Sequence, residues 1–398
     1  MLRKLSIAIV GCGPGGLATA LFLKRLGHDI TIYDQYAEPL PVGSGLLIQP
    51  SGQSVLEMLG LLDSIRALAS PVHQLHGISV EQNRRALDMR YSNSGDGAPA
   101  LGIHRASLFS TLLEAVEKAG VLIVANSKLV SVEESENRIT PVFERTASDV
   151  SFDLLIDASG ARSPVAGGNV KRLDYGAFWA TVDMPQDHDV IPDALDQRYY
   201  RASQMAGIMP IGLNPATGNP GAAIFWSEKP ENADRIVASG IERFRKNYCD
   251  LWPEAEPFVS QLGCMEDLNL AVYNHRTGWP SPTERLIHVG DSWHCTSPQL
   301  GQGANMALID AAALSRAFET SGSLLEVGQK YRKARMRHVR LYQILSVIFT
   351  PLYQSDGAFE PWIRDMVIHH FARLPIIRKI IARTVSGKLA LSRRRTGL

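Results

Sequence analysis

The sequence predicts an α/β fold with one domain on a parallel β-sheet, an inserted antiparallel β-sheet domain and a C-terminal helical segment. Three observations predict it. Near the N-terminus, a short apolar strand runs into a glycine-rich turn and a helix. In the middle of the chain, apolar segments alternate with clusters of Gly, Pro and Asn. From residue 330 onward, basic and apolar residues mix in a pattern typical of surface helices.

The composition is that of a globular protein with two to three domains, since the chain has 398 residues and 45% of them are hydrophobic. This excludes a disordered tail, a fibre and a small disulfide scaffold. The four cysteines are far apart and none has metal-ligand spacing, so we expect no zinc site and a reducing cytoplasm. We expect the histidines at positions 73, 76, 369 and 370 to be surface or hydrogen-bonded residues.

Residues 5–34 match a dinucleotide-binding fingerprint. An apolar strand over 5–10 precedes a Gly-x-Gly-x-x-Gly turn, then a helix over 17–26 and a second strand over 29–33. The first glycine allows a tight turn, the second lets backbone approach a diphosphate, and the third lets the helix pack on the strand. This Rossmann-like unit predicts nucleotide contacts at Gly11, Gly13, Pro14, Gly15 and Gly16. Asp34, with Gln35 beside it, ends the second strand where an acid binds ribose hydroxyls.

Residues 290–305 carry the most specific signal, Gly-Asp-Ser-Trp-His-Cys-Thr-Ser-Pro-Gln-Leu-Gly-Gln-Gly-Ala-Asn. This segment resembles the second flavin-binding motif of single-component FAD-dependent monooxygenases of the para-hydroxybenzoate hydroxylase type. The resemblance implies that Asp291 holds the ribityl chain of FAD. It also implies that Pro298 and the backbone of Gly301, Gly303, Ala304 and Asn305 lie against the isoalloxazine ring. A helix over 306–318 would direct its positive N-terminal end at the reduced flavin, which carries negative charge.

Three further segments resemble the same family. Residues 43–50, with Gly45, look like a flavin-lining loop. Arg105 corresponds to an arginine that reaches FAD in the family, although a solvated residue in the first turn of a helix is the alternative. Asp157 ends an apolar strand and begins Asp-Ala-Ser-Gly. The family has an Asp directly before this Gly and an Arg three residues after the following Ser, whereas this chain has Ser159 and Ala166.

The resemblance implies FAD as the cofactor, with NADH or NADPH as a transient electron donor because the chain has no second glycine fingerprint. FAD reduced by NAD(P)H would react with O2, and the resulting flavin C4a-hydroperoxide would hydroxylate an aromatic or polycyclic small molecule. No metal and no catalytic triad are expected. Two alternatives stay open: an FAD-dependent reductase or dehydrogenase of a lipid-like or isoprenoid substrate, and a flavin-holding partner without enzyme activity. The candidate substrate contacts are Gln49 beside the flavin and Arg201, Met209, Phe225 and Trp226 from the inserted sheet.

The motifs divide the chain into three parts. Residues 1–70, 101–165 and 275–328 are predicted to form a discontinuous FAD-binding domain. Residues 71–100 and 166–274 are predicted to form the substrate domain, with strands at 176–182, 205–213 and 222–227 and helices at 232–247 and 254–262. Residues 329–398 are predicted to form the basic C-terminal helical segment.

The near-neutral formal charge of +1 conceals a polarised chain. Residues 330–398 contain 15 basic and 3 acidic residues, whereas the rest of the chain has an excess of acidic ones. Basic residues such as Arg373 and Arg378 flank apolar ones, which favours helices docked on the acidic body. The alternatives are contact with an anionic membrane, which would place the protein at the inner membrane face, or with an acidic carrier protein. Nucleic-acid binding is not expected, because no recognition module accompanies the charge.

Overall fold

The computed structural model describes residues 2–38, 44–95, 97–145, 150–277, 283–357, 359–368 and 374–398. Gly43, His369, His370 and Arg373, named above, lie outside these ranges.

The strands belong to four sheets. In chain order they are β1 Ser6–Val10, β2 Asp29–Tyr33, β3 Gly45–Ile48, β4 Ser70–Val72, β5 Gln74–Ser79, β6 Arg84–Arg90, β7 Ala100–His104, β8 Leu122–Val124, β9 Leu129–Glu134, β10 Ile139–Phe143, β11 Leu154–Asp157, β12 Asn169–Asp183, β13 Ala194–Tyr200, β14 Gln204–Leu213, β15 Pro220–Glu228, β16 Asn269–Thr277 and β17 Leu286–His288.

Some helices cover the two large sheets, and others form most of the C-terminal segment. In chain order they are α1 Pro14–Arg25, α2 Pro50–Met58, α3 Leu62–Leu68, α4 Arg105–Lys118, α5 Ala233–Ser239, α6 Ile241–Leu251, α7 Glu256–Val259, α8 Asp291–His294, α9 Gly303–Thr320, α10 Leu324–Tyr353, α11 Phe359–Trp362, α12 Pro375–Val385 and α13 Arg393–Thr396.

The first sheet is five-stranded and parallel, in the order β17-β11-β1-β2-β8. Its central strands are almost entirely buried apolar runs, as expected for a parallel sheet covered on both faces. Helices α1 and α9 pack on it, and α9 is buried around most of its circumference. The carboxyl ends of β1, β2 and β11 therefore lie at one edge, where ligands bind in such folds.

The second sheet has seven strands, in the order β16-β12-β15-β14-β13-β5-β6. All neighbours are antiparallel except β13 and β5. Helices α6 and α7 pack on one face through a core that includes Phe244 and Tyr248. A small sheet, in the order β3-β7-β4, lies close to β14 on the other side. A Cβ on Gly102 of β7 would overlap the carbonyl oxygen of Pro210, so the two layers are in close contact there.

The strands predicted at 176–182, 205–213 and 222–227 are confirmed as the cores of β12, β14 and β15. Strand β13 was not predicted. The single helix predicted over 232–247 is wrong: Gly240, with a φ of +80°, separates α5 from α6. The first helix begins at Pro14, three residues earlier than predicted, because proline suits the first helical position.

The C-terminal segment packs against the body of the protein through helices α10 and α12 and the short α13. Helix α10 buries Tyr331, Arg335, His338 and Tyr342 on one face. Its other face exposes Ile344, Val347 and Ile348. None of the helices in the described ranges combines the length and hydropathy needed to span a membrane.

Candidate functional site

The turn between β1 and α1 is packed so closely that two of its positions require glycine. Gly11 has a φ of +109°, and a Cβ there would overlap the carbonyl oxygen of Ala158 after β11. A Cβ on Gly16 would overlap the carbonyl oxygen of Gly11 itself. Helix α1 therefore lies directly against the strand ends, in the arrangement that the fingerprint predicts.

Gly13 has a different environment from its neighbours. It is exposed, and no atom lies within 4 Å of the position that its Cβ would occupy. It precedes α1 without providing a side-chain cap, and Pro14 takes the first helical position. The N-terminal N–H groups of α1 and the positive end of its dipole thus face open space, which is the setting in which helices bind phosphate groups.

Asp34 lies at the end of β2, beside this turn. One carboxylate oxygen accepts the backbone N–H of Cys12 at 2.8 Å, and the other accepts that of Tyr36 at 3.0 Å. The carboxylate is buried, and burial together with Asp34 raises the pKa of the Cys12 thiol. Gln35, the next residue, is exposed. Asp34 is thus held rigidly at the strand end and keeps acceptor capacity for a ribose hydroxyl.

Asp291 is the first residue of α8. Burial raises the pKa of its carboxyl group, and the positive charges of His294 and Arg105 oppose this rise. The side chain is nevertheless exposed to solvent. Protein atoms therefore desolvate part of this carboxyl group while solvent reaches the rest. Arg105 is the first residue of α4 and is exposed, and its positive charge acts on Asp291 at the start of α8.

The N-terminus of α9 forms the next part of the site. Pro298 begins a short 3-10 turn that ends at Gly301, a left-handed residue with a φ of +60°. Helix α9 then starts at Gly303 without a side-chain cap, and Pro298 and Gly303 are both exposed. Ala304 is half-buried in the first turn. This helix end therefore also presents N–H groups and a positive dipole end.

The two uncapped helix ends lie side by side. A Cβ on Gly15 in α1 would be 3.1 Å from the Cβ of Ala307 in α9. Gly290, directly before Asp291, approaches the same Ala307 equally closely. The N-terminus of α1, Asp291 and the N-terminus of α9 are therefore parts of one continuous region.

Asn305 holds this region together through its side chain. Its amide oxygen accepts the backbone N–H of Gln49 at 2.8 Å, and its amide nitrogen donates to Leu47 at 2.9 Å and Gly301 at 3.0 Å. Gln49 is fully buried, and its side-chain oxygen accepts the hydroxyl of Tyr91. The Nε2 of Gln49 has no hydrogen-bond partner among the described residues and lies near Gly301. An unpaired buried donor at this point fits a ligand with acceptor atoms.

Asp157, predicted as a cofactor contact, has both carboxylate oxygens engaged inside the protein. One accepts the backbone and hydroxyl groups of Ser159, and the other pairs with Ser163 and with the Nδ1 of His288 at 2.7 Å. Burial raises its pKa, but these hydrogen bonds outweigh burial and hold the pKa below its usual range. Its contribution is to shape the turn beside Gly11.

Two of the predicted substrate contacts, Met209 and Phe225, lie on the face of the seven-stranded sheet that turns toward β3. A Cβ on Gly45 in β3 would be 3.0 Å from the Cε of Met209. Phe225 packs on Trp179 with ring centroids 4.7 Å apart. The side chains of this face therefore cover the flavin-lining strand that the resemblance indicates.

Two predicted substrate contacts do not fit the structure. Arg201 is exposed in the turn between β13 and β14 and pairs with Glu81 at 3.2 Å. Trp226 packs on Phe244 and Tyr248 beneath α6, on the opposite face from Phe225. For Arg201 the reason is its position in the turn, outside both strands. For Trp226 the reason is the alternation of side chains along a strand, which places adjacent residues on opposite faces.

Two aromatic residues missed from the sequence lie on the Phe225 side. Trp179 in β12 donates its indole N–H to the hydroxyl of Tyr273 in β16 at 2.8 Å. Burial raises the pKa of Tyr273 to about 12, and the residue as a whole is half-buried. Trp179 is paired with Phe225 across the two strands. Strand alternation would have revealed Trp179, but the sequence holds no signal that joins β12 to β16.

The chain is similar to several characterised enzymes. It is 25% identical to kynurenine 3-monooxygenase of Stenotrophomonas maltophilia, over 86% of this chain and 78% of that protein. It is 26% identical to 6-hydroxynicotinate 3-monooxygenase of Bordetella bronchiseptica, over 81% of this chain and 85% of that protein.

Solved structures show the same fold. The crystal structure of Klebsiella pneumoniae HpxO complexed with FAD and uric acid matches with a TM-score of 0.75 and 18% identity, over 96% of this chain and 97% of that one. The tetrameric form of 2-methyl-3-hydroxypyridine-5-carboxylic acid oxygenase matches with a TM-score of 0.76 and 19% identity, over 96% of both chains. The model of the FAD binding domain family matches residues 4–321. Since this match spans most of the sequence, the chain belongs to the FAD binding domain family, that of the single-component FAD-dependent monooxygenases.

Proposed function

We propose that this protein is an FAD-dependent monooxygenase that uses NADH or NADPH and O2 to hydroxylate an aromatic or polycyclic small molecule. The main observation in its support is the continuous region in which Asp291 and the N-termini of α1 and α9 meet. The face of the seven-stranded sheet that carries Trp179 and Phe225 covers this region. The relatives support it, because they are named as monooxygenases and the HpxO structure holds FAD and uric acid.

FAD fits this region at several points. The open space at Gly13 admits a diphosphate at the N-terminus of α1, and Asp34 is placed for the adenosine ribose. Asp291 would hold the ribityl chain, and Arg105 would reach the FAD. The turn from Pro298 to Gly303 would face the isoalloxazine ring. When bound, FAD supplies the electron-transfer and oxygen chemistry of the reaction.

The protein's own contribution at the ring is electrostatic. The uncapped N-terminus of α9 places partial positive charge at the turn, where a reduced ring needs stabilisation of its negative charge. Asn305 fixes this turn through its three hydrogen bonds. The unpaired Nε2 of Gln49 is an additional donor beside Gly301.

The sheet face orients the substrate and excludes water. Met209, Phe225 and Trp179 provide apolar walls suited to an aromatic ring. The hydroxyl oxygen of Tyr273 accepts the N–H of Trp179, which leaves the hydroxyl hydrogen available for donation to a ligand. Because burial raises the pKa of Tyr273 to about 12, the hydroxyl stays protonated at neutral pH and donates to a substrate oxygen or nitrogen.

NADH or NADPH would bind only transiently, since the single glycine fingerprint is assigned to FAD. The names of the relatives favour oxygenation over the reductase alternative. The experiment that tests the proposal begins with the absorption spectrum of the purified protein. It continues with oxidation of NADH and NADPH in the presence of phenols, hydroxypyridines, quinolones and polyketides.

We expect a flavin spectrum, and we expect at least one aromatic compound to accelerate NAD(P)H oxidation and to give an oxygenated product. A yellow protein whose NAD(P)H oxidation no compound accelerates, and which forms no oxygenated product, would contradict the proposal.

We also propose that the outer face of α12 contacts an anionic lipid surface. Ile376 and Ile380 are exposed there, beside the exposed basic residues Arg378, Lys379 and Arg383. An apolar strip flanked by positive charge is typical of helices that lie in a membrane interface.

Sedimentation with vesicles of phosphatidylglycerol and phosphatidylcholine tests this contact. Binding should require phosphatidylglycerol and should be lost in an Ile376→Ser/Ile380→Ser variant. Equal sedimentation of this variant and the parent protein, or binding only to an acidic carrier protein, would contradict it.

A further inference from the structure

The last turn of α12 lies directly against the turns that line the proposed flavin site. Four successive backbone carbonyls, from Thr384 to Gly387, each accept a hydrogen bond from another element. The donors, in that order, are the hydroxyl of Tyr342 at 2.5 Å, the Nε2 of Gln302 at 2.5 Å, the backbone N–H of Ser51 at 3.3 Å and the Nε2 of His338 at 3.0 Å.

The final carbonyls of a helix lack partners within the helix, and solvent commonly satisfies them. Here the protein satisfies them, and two of the donors belong to the site itself. Gln302 separates Gly301 from Gly303 and immediately precedes α9. Ser51 is the second residue of α2 and lies two positions after Gln49. The end of α12 is therefore attached to both turns that border the proposed flavin ring.

His338 connects the end of α12 to the start of the 290–305 segment. Arg335 donates to its Nδ1 at 2.7 Å, so the hydrogen of its ring is on Nε2 and points at Gly387. Arg335 also donates to Asp310 at 2.6 Å, and Asp310 accepts the backbone N–H of Gly290 at 2.8 Å and pairs with His294. All these side chains are buried. One polar network thus runs from the turn before Asp291 to the end of α12.

The fit at this contact is close. Gly387 has a φ of +74°, and a Cβ there would overlap the hydroxyl oxygen of Ser51. The inner face of α12 continues the contact, because Ala382 and Val385 belong to the same apolar cluster as Leu47 and Met209. Residues 374–398 therefore meet the site through both polar and apolar contacts.

We infer that the C-terminal segment stabilises the conformation of the flavin site. Resting on the proposed function, the inference assigns Gln302, His338 and Tyr342 as positioning residues. Through them, α12 holds the turn from Gly301 to Asn305 in the conformation that receives the isoalloxazine ring.

The test compares His338→Leu with His338→Gln, since glutamine can accept from Arg335 and donate to Gly387 as histidine does. Arg337→Gln, on the exposed face of the same helix, is the matched control. Two readouts are made on full-length protein: the Kd for FAD from quenching of flavin fluorescence, and amide hydrogen exchange over residues 301–306 without FAD.

We expect His338→Leu to raise the Kd for FAD about tenfold, the change that loss of one buried hydrogen bond produces, and to speed exchange at 301–306. His338→Gln and Arg337→Gln should resemble the parent protein. Tyr342→Phe, which removes one donor with almost no change in volume, should show the same effects more weakly and replaces His338→Leu if that variant does not fold.

Folded His338→Leu and Tyr342→Phe variants with parental FAD affinity and parental exchange would overturn the inference. A parent protein that binds no FAD would instead contradict the proposed function, so the two failures are distinguishable.

Discussion

At the level of single residues, Gly13 and Gly16 have different roles: Gly13 leaves space for a ligand, whereas Gly16 is required for packing within the protein. A Cβ on Gly13 meets no protein atom, and its φ of −67° suits alanine. A Cβ on Gly16 overlaps backbone. Gly13→Ala should therefore leave the unfolding of the apoprotein unchanged but weaken FAD binding at least tenfold, because the added methyl occupies the diphosphate space.

Gly16→Ala should weaken FAD binding and also destabilise the apoprotein by about 1 to 3 kcal/mol, through overlap in a packed turn. Urea unfolding without FAD and fluorescence titration with FAD measure the two effects. Similar unfolding of Gly16→Ala and the parent apoprotein would contradict the close packing.

Tyr273 is expected to bind substrate. Tyr273→Phe removes one hydroxyl and should reduce kcat/KM for the aromatic substrate about tenfold, the equivalent of one hydrogen bond, while FAD affinity stays parental. Tyr200→Phe, at an exposed tyrosine, is the control. Unchanged kcat/KM in Tyr273→Phe would remove Tyr273 from the substrate site.

His338 predicts a pH dependence of stability. Burial, the adjacent positive charge of Arg335 and, to a smaller extent, His294 lower the pKa of His338 to about 3. The hydrogen bond to Gly387 and the negative charge of Asp310 raise this pKa, but by less. Between pH 6 and 4 the unfolded chain therefore binds one more proton at this residue than the native protein. As the pH is lowered through this range, the free energy of unfolding should fall by about 1.4 kcal/mol per pH unit from this group.

His338→Gln lacks this proton and should show a shallower decline over the same range. Urea unfolding of both proteins at pH 7, 6, 5 and 4 measures the difference. Parallel curves would show that His338 is protonated in the native state.

At the scale of elements, the N-terminus of α9 makes the electrostatic account testable. Ala304→Asp should keep or slightly raise apoprotein stability, by about 0.5 kcal/mol, because an acid suits the first turn of a helix. It should lower the reduction potential of bound FAD, because the carboxylate repels the negative charge of the reduced ring. Ala304→Asn is the neutral control of matched size. A potential equal in both variants would contradict the assigned role of this helix end.

The elements of the flavin site were predictable because each has a local signature. Gly11 and Gly16 mark a turn whose close packing the structure confirms, and the strand, turn and helix around Asp34 follow each other within 30 residues. The substrate side was less predictable. Trp179 and Tyr273 come together only through pairing of distant strands, and Trp226 shows that a neighbouring aromatic residue can face the opposite way.

At the scale of the whole molecule, the polarised charge of the chain has a partly internal explanation. The basic C-terminal segment packs against the acidic body, and Arg335 pairs with the buried Asp310, whose pKa is lowered to about 2 because His294 and Arg335 outweigh burial. The charge distribution of the sequence predicted that the basic C-terminal helices dock on the acidic body. It could not predict that their last turn borders the flavin motif, because Gln302 and Val385 share no local sequence pattern.

In the proposed reaction, the protein transfers one oxygen atom from O2 to an aromatic compound. The most direct test of this transfer is the reaction of the FAD-loaded protein with NADH or NADPH, an accelerating aromatic substrate and 18O2, followed by mass spectrometry of the product. We expect a product that carries one 18O atom. A product that is reduced or dehydrogenated without 18O, or one that takes its oxygen from water, would contradict it.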